Sequence, residues 1–363
     1  MKIAILSMQK VYNYGSVLQA YSLKESLEEI TNERIDFLNP ILEEKIKTNM
    51  KVTDSNDYVD KPFIENKILF FIKKAMNKIK FRKFKKEIEQ FQNKYLHLSD
   101  ENVNKMYDLV IEGSDEVFKC SKEIYLNMYG AVENTRHLIS YAASCGSADI
   151  DGLPAETISI LKEKMKRFED MSVRDKHTKE YISNLYDGKI EQHLDPVLVG
   201  NLKNMKHKKV KHKDYMIVYA YGDRIHTKEE IQSIKNYAKK YKLKIISIGA
   251  PQYWCDEFVV VSPLEVLDYF YYAKCVVTDT FHGTIFSIIN GCKFATILRK
   301  TNENKLGNLL SQLELSNHHI TNMNDLENIL NCKVDYNKVE EILNIESKKT
   351  REYLKKNYER WRK

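Results

Sequence analysis

The chain has 363 residues, 43% of them hydrophobic, and 58 Lys and Arg against 51 Asp and Glu give a net charge of +7. That length exceeds one compact α/β unit and predicts two domains. No apolar run approaches a transmembrane helix, MKIAILSMQK opens as a β-strand rather than a signal peptide, and cysteines without CxxC spacing read as reduced, buried thiols, so a cytoplasmic protein is expected.

Residues Lys2 to Met8 predict a first strand. After a polar loop, Ser16-Val17-Leu18-Gln19 has the form of a capping box and opens a helix with apolar positions at Val17, Ala20, Leu23, Leu27 and Ile30. Arg34 to Leu38 reads as the next strand. A basic helical insertion is expected over 61–94. Between Lys67 and Lys86 it carries nine Lys or Arg and no acid, interleaved with apolar residues from Ile68 to Phe84. Three uses compete: a surface helix packed on its own domain, peripheral docking at the inner face of an anionic membrane, and nucleic-acid binding. No nucleic-acid module accompanies the helix, so no nucleic-acid partner is expected.

Further strands are predicted at Asp108 to Glu112, His137 to Ala143, Met171 to Arg174 and Glu191 to Val199, with helices at Ala155 to Phe168 and His177 to Tyr186. Residues 200–214 (GNLKNMKHKKVKHKD) are polar and basic, and the pattern then restarts. The second series is strand Tyr215 to Tyr221, helix Thr227 to Tyr241, strand Leu243 to Gly249, helix Ser262 to Ala273, strand Cys275 to Asp279, a helix from Thr280, and strand Phe294 to Leu298. Thr227 with Glu230 forms one capping box, and Ser262 with Pro263 and Glu265 forms another. The fold class is therefore α/β, with two doubly wound Rossmann-like domains at 1–205 and 206–335 and a C-terminal helix over 336–363 packing back across the hinge.

In open α/β sheets, ligands sit outside the carboxyl ends of the strands. There is no GxGxxG and no Walker A motif, so neither a dinucleotide nor a P-loop nucleotide site is indicated. The loop at Thr280 is the best anion site. Thr280 can cap the helix, first-turn amides including that of Gly283 would point into a cleft, and His282 would add a hydrogen bond or a charge. Its rival is a plain helix cap with a surface histidine, and Asp279 is expected to support the helix start or the residues behind the site, since a bare carboxylate would repel phosphate. Arg174 ends an apolar strand, where its fork suits carboxylate or phosphate oxygens, or an ion pair with an acid such as Asp175. After Gly113, Asp115 or Glu116 could act as acid, base or sugar ligand, or cap a helix.

The blocks NYGSVLQAY (13–21), DLVIEGSDEVF (108–118), YAASCG (141–146), SVRD (172–175), LDPV (194–197) and VTDTFHGTIFSI (277–288) together resemble the polysaccharide pyruvyl transferase family, from residue 1 to about residue 300. The resemblance implies a fold like the GT-B glycosyltransferases, phosphoenolpyruvate as co-substrate, no cofactor and no required metal. It also implies a pyruvate ketal on a cell-surface glycan precursor, as in exopolysaccharide biosynthesis. Its donor site would be Arg174, Thr280, His282, Gly283 and Thr284, with Asp115, His282 and Arg174 catalytic. The acceptor, a glycan or lipid-linked saccharide, would meet Asn13, Tyr14, Gly15, Ser114, Asp115 and Glu116. Two positions depart from the pattern: Thr280 stands where some branches carry arginine, leaving Arg299 or Lys300 to replace it, and Glu116 stands where relatives often have glutamine. Two alternatives share the fold, a glycosyltransferase using a nucleotide sugar and a non-catalytic glycan- or membrane-associated binding protein.

Overall fold

A computed structural model of the chain describes residues 1–39, 44–48, 64, 67–98, 105–222 and 224–362. Of the expected insertion, residues 61–63 and 65–66 lie outside that set, as do the side chains of residues 67–69, and so do Asp223 and Lys363.

The N-terminal lobe runs β1 (Ile3–Leu6), α1 (Tyr14–Thr31), β2 (Ile35–Phe37), β3 (Lys45–Lys47), α2 (Lys67–Phe91), β4 (Tyr107–Asp115), β5 (Glu123–Tyr125), β6 (Thr135–Ala143), α3 (Ala155–Met165), β7 (Met171–Val173), α4 (Lys176–Ser183), β8 (Ile190–Gln192) and α5 (Pro196–Val199). Six of its strands form a parallel sheet in the order β2-β1-β4-β6-β7-β8, while β3 and β5 make a separate antiparallel ribbon. Strands such as Ile3–Leu6 are buried at every position, as a parallel sheet covered on both faces requires.

The C-terminal lobe repeats the plan with β9 (Tyr215–Tyr219), α6 (Lys228–Lys240), β10 (Lys244–Ile248), β11 (Glu257–Val259), α7 (Pro263–Tyr272), β12 (Cys275–Thr278), α8 (Phe281–Ile289), β13 (Phe294–Ile297), α9 (Glu303–Gln312), β14 (His319–Ile320), α10 (Leu326–Asn331) and α11 (Tyr336–Trp361). Its parallel sheet has the order β11-β10-β9-β12-β13-β14. Both expected capping boxes are present: Thr227 Oγ1 accepts from the Glu230 amide at 3.2 Å, and the Ser262 amide donates to Glu265 at 2.9 Å.

Two local expectations fail. α1 begins at Tyr14, not after Ser16, because the Asn13 side chain accepts from the Gly15 and Ser16 amides. Glu191 to Val199 is not one strand. Asp195 accepts from the Val197 amide and Pro196 occupies the first helical turn, so the apolar run turns into the short helix α5.

One apolar cluster spans both lobes, joining Tyr14, Val17, Phe84 and Val197 to Ile217, Phe270 and Phe286. α11 contributes Val339 and Leu343 to that cluster, then buries Tyr353, Leu354 and Tyr358 against the first sheet. The hydroxyl of Tyr353 donates to the Ser140 carbonyl at 2.8 Å. All six cysteines are free thiols, five of them buried and Cys332 half-buried. Among the described residues, no helix is long and apolar enough to cross a membrane.

Candidate active site

Each sheet reverses its winding once, between β1 and β4 in the first and between β9 and β12 in the second. Loops leaving such a point diverge and open a crevice. Here the two crevices meet. The first supplies Asn13 to Ser16 at the start of α1 and Asp115 at the end of β4, and the second supplies Tyr219 to Gly222 and Thr280 to His282. Contact is direct: a Cβ on Gly15 would lie 2.2 Å from Cγ and Nδ1 of His282, so only glycine lets the imidazole rest on that turn.

At the junction, Arg174 Nη1 donates to Asp195 Oδ2 at 3.2 Å and stands 3.9 Å from Asp115 Oδ1. His282 Nε2 lies 3.5 Å from the same Asp195 oxygen, within ion-pair reach but without hydrogen-bond geometry. Asp115 also accepts from Ser16 Oγ at 2.7 Å, and its φ of 79° is a left-handed conformation that non-glycine residues rarely adopt. The Arg174 guanidinium stacks 4.1 Å from the centre of the Phe281 ring, and its buried Nε has no partner among the described residues. Burial alone would raise the Asp195 pKa. The neighbouring His282 and Arg174, together with the Val197 amide, hold it below the usual carboxylate value. Arg174 is held above its usual value, because Asp195, Asp115, Asp175 and Glu116 outweigh its burial.

Sequence expectation and structure part in several places. Thr280 caps α8, but it does so by accepting the Gly283 amide at 3.0 Å, so that amide is used inside the protein rather than offered to the cleft. A Cβ on Gly283 would collide with Thr278 Oγ1 at 2.2 Å, which explains the glycine by packing. The Thr284 hydroxyl is fully buried between the Thr280 carbonyl and Thr296, and Ser114 is fully buried with its hydroxyl on the Ala142 carbonyl. Neither faces the cleft as expected. Tyr14 donates to the Val261 carbonyl of the other lobe at 2.7 Å, while Asn13 and Tyr14 both line a cavity beside α2.

Glu116 is not a free ligand. Lys305, from the first turn of α9, reaches across from the C-terminal lobe to within 2.7 Å, and with Arg174 and Lys119 it pulls the Glu116 pKa down to about 2 against the effect of burial. Arg299 cannot stand in for the arginine absent at Thr280, because it is bound to Asp279 at 3.1 Å and Glu230 at 2.7 Å. Lys300 is exposed. Two further residues of the site, Asp195 and Lys305, are not among those the sequence points to. Asp195 stands inside the quoted LDPV block, whereas nothing local marks Lys305.

A cavity of about 600 Å³ opens on the α2 side of His282, walled by aromatic rings including Tyr12, Tyr14, Phe81, Tyr219, Tyr221 and Tyr253, with Lys74 and Lys78 on its α2 wall. Its size suits a sugar-sized ligand. Among the described residues no three His, Cys, Asp or Glu side chains gather as a metal site.

The architecture is that of the GT-B enzymes. The S. aureus MnaA structure with UDP covers 99% of this chain and 97% of its own at 11% identity and a TM-score of 0.50, and the Methanocaldococcus jannaschii UDP-GlcNAc 2-epimerase covers 95% and 99% at 15% identity and a TM-score of 0.49. No curated protein matches the sequence significantly. The polysaccharide pyruvyl transferase family model matches residues 13–301, which include the loops of both crevices. The chain therefore belongs to the polysaccharide pyruvyl transferase family.

Proposed function

We propose that the chain moves a pyruvyl group from phosphoenolpyruvate to two hydroxyls of one sugar in a glycan precursor and closes a pyruvate ketal. The observation that carries this reading is the meeting of a guanidinium from one lobe and an imidazole from the other at one buried carboxylate. An anionic donor entering there finds Arg174, His282 and the first-turn amides of Phe281 and His282 in α8, the Gly283 amide being taken by the Thr280 cap. Lys305 adds a second positive charge on the C-terminal side.

The reaction needs one proton delivered to the methylene carbon, which becomes the methyl group. One sugar hydroxyl then adds to the central carbon, the bond to the bridging oxygen breaks to release phosphate, and a second hydroxyl closes the ketal. Of the two hydroxyl protons lost, one balances the new methyl group and the other leaves with phosphate. On this reading His282 passes a proton at the donor, with the Asp195 carboxylate 3.5 Å from its Nε2 as charge partner. On this reading Asp115 takes the hydroxyl proton of the acceptor, with the Ser16 hydroxyl donating to its carboxylate. The aromatic cavity would hold the acceptor sugar, with Lys74 and Lys78 available to phosphates of a lipid carrier.

Phosphate release from phosphoenolpyruvate in the presence of saccharide acceptors, with calorimetric titration of the donor, tests the reading. Saturable phosphoenolpyruvate binding and acceptor-dependent phosphate release are expected. Saturable nucleotide-sugar binding with no response to phosphoenolpyruvate would replace it with a glycosyltransferase.

A further inference from the structure

The inner and outer faces of α2 serve different ends. On the inner face, Asn77, Phe84, Ile88 and Phe91 are buried, Phe84 packs edge-on to Tyr14 at 5.0 Å, and Lys80 donates to the Phe258 carbonyl at 2.7 Å. These contacts hold the helix to both lobes. On the outer face, Phe71, Ile72, Met76 and Ile79 are 66%, 53%, 56% and 70% exposed. With Ala75 they occupy positions that share one side of a helix of 3.6 residues per turn, so they form one stripe rather than scattered surface residues. Arg82, Lys83 and Lys86 continue that side toward the C-terminus, all exposed and, among the described residues, in no ion pair.

We infer that this face docks on an anionic lipid surface. An apolar stripe running into a cluster of cations matches the acyl boundary and the headgroup charge of such a surface. A second copy of the chain fits less well. Side by side, two such faces would bring like charges together, and head to tail they would set cations on the aliphatic side chains of Ile72, Met76 and Ile79, with no acid between Lys67 and Lys86 to neutralise them. The inner side of the same helix, at Lys74, Asn77, Lys78, Phe81 and Phe84, walls the aromatic cavity, so docking sets the cavity beside the lipid headgroups. The docking stands independently of the donor chemistry.

Co-sedimentation of the full chain with phosphatidylglycerol/phosphatidylcholine vesicles, compared with pure phosphatidylcholine, tests it. Binding is expected only with the anionic lipid, falling as salt rises. The pairs Phe71→Glu with Ile79→Glu, and Arg82→Glu with Lys83→Glu, should each weaken binding by roughly 10-fold or more while retaining the wild-type melting transition. Wild-type protein that ignores both vesicle types overturns the inference, as do variants that bind like wild type. Phe71→Glu with Ile79→Glu converting a dimer to a monomer, with vesicle binding unchanged, would assign the face to self-association instead.

Discussion

Two buried charge clusters lie at the carboxyl ends of the strands, and they differ in what is left over: among the described residues an acceptor, Asp279 Oδ1, in one, and donors of Arg174 and His282 in the other. In one, Asp279 Oδ2 takes Arg224 at 2.9 Å and Arg299 at 3.1 Å, Arg299 also holds Glu230, and Arg224 donates to Thr301. Both guanidiniums are committed within the C-terminal lobe. In the other, Asp195 Oδ2 is shared by Arg174 and His282 from opposite lobes, the imidazole contact lacks hydrogen-bond geometry, and Arg174 Nε has no partner among the described residues. The composition is similar. The first cluster locks loops to one another, while the second has donor capacity left for a ligand.

Substitutions should separate the two. The largest effect is expected at the open cluster: His282→Ala should lower the rate of phosphate release by about 10²–10⁴-fold while the melting transition stays near wild type. Arg174→Lys, which keeps the charge but loses the fork, should cost roughly 100-fold under the same assay. Full activity in either variant would remove that residue from the mechanism. At the closed cluster the readouts reverse. Arg299→Met should destabilise the fold by about 3–5 kcal/mol in urea denaturation, since it leaves buried carboxylates undercompensated, while turnover per folded molecule is retained. A selective loss of turnover there would erase the distinction.

A smaller effect is expected at the pair bridging the lobes. Lys305→Met should raise KM for phosphoenolpyruvate by about 10-fold, whereas Glu116→Gln, which frees Lys305 from its partner, should leave KM unchanged or lower it. Equal rises in both variants would make the pair a structural tie only. The smallest effect is a pH dependence. Because the folded Glu116 pKa is depressed to about 2 from 4.5, its contribution to stability is complete above the unfolded value and is lost as pH falls from there toward 2. The difference in urea midpoint between wild type and Glu116→Gln should therefore narrow below about pH 4.5 and stay constant above it.

The doubly wound lobes were legible because buried parallel strands are continuously apolar and the helix starts of the C-terminal lobe carry explicit caps. Thr280 as a cap, and Arg174 and His282 as residues of the loops where the lobes meet, could be picked out because each chemical type sits just past a strand. At Ser16 the Ser-x-x-Gln pattern fits a capping box, yet Asn13, three residues earlier, makes the cap and leaves Ser16 to bind Asp115. Asp195 was hidden inside an apolar run that reads as strand, although Asp-Pro is itself a helix-start signal. Lys305 could not be found locally. Its partner is 189 residues away, and only the packing of α9 against the first lobe brings them together.

A crystal structure of the chain with phosphoenolpyruvate bound tests the central claim most directly. The donor is expected between Arg174 and His282, with one anionic group on the guanidinium and the other at the start of α8. Phosphoenolpyruvate seated instead against Arg224 and Arg299, or bound with neither Arg174 nor His282 in contact, would contradict it.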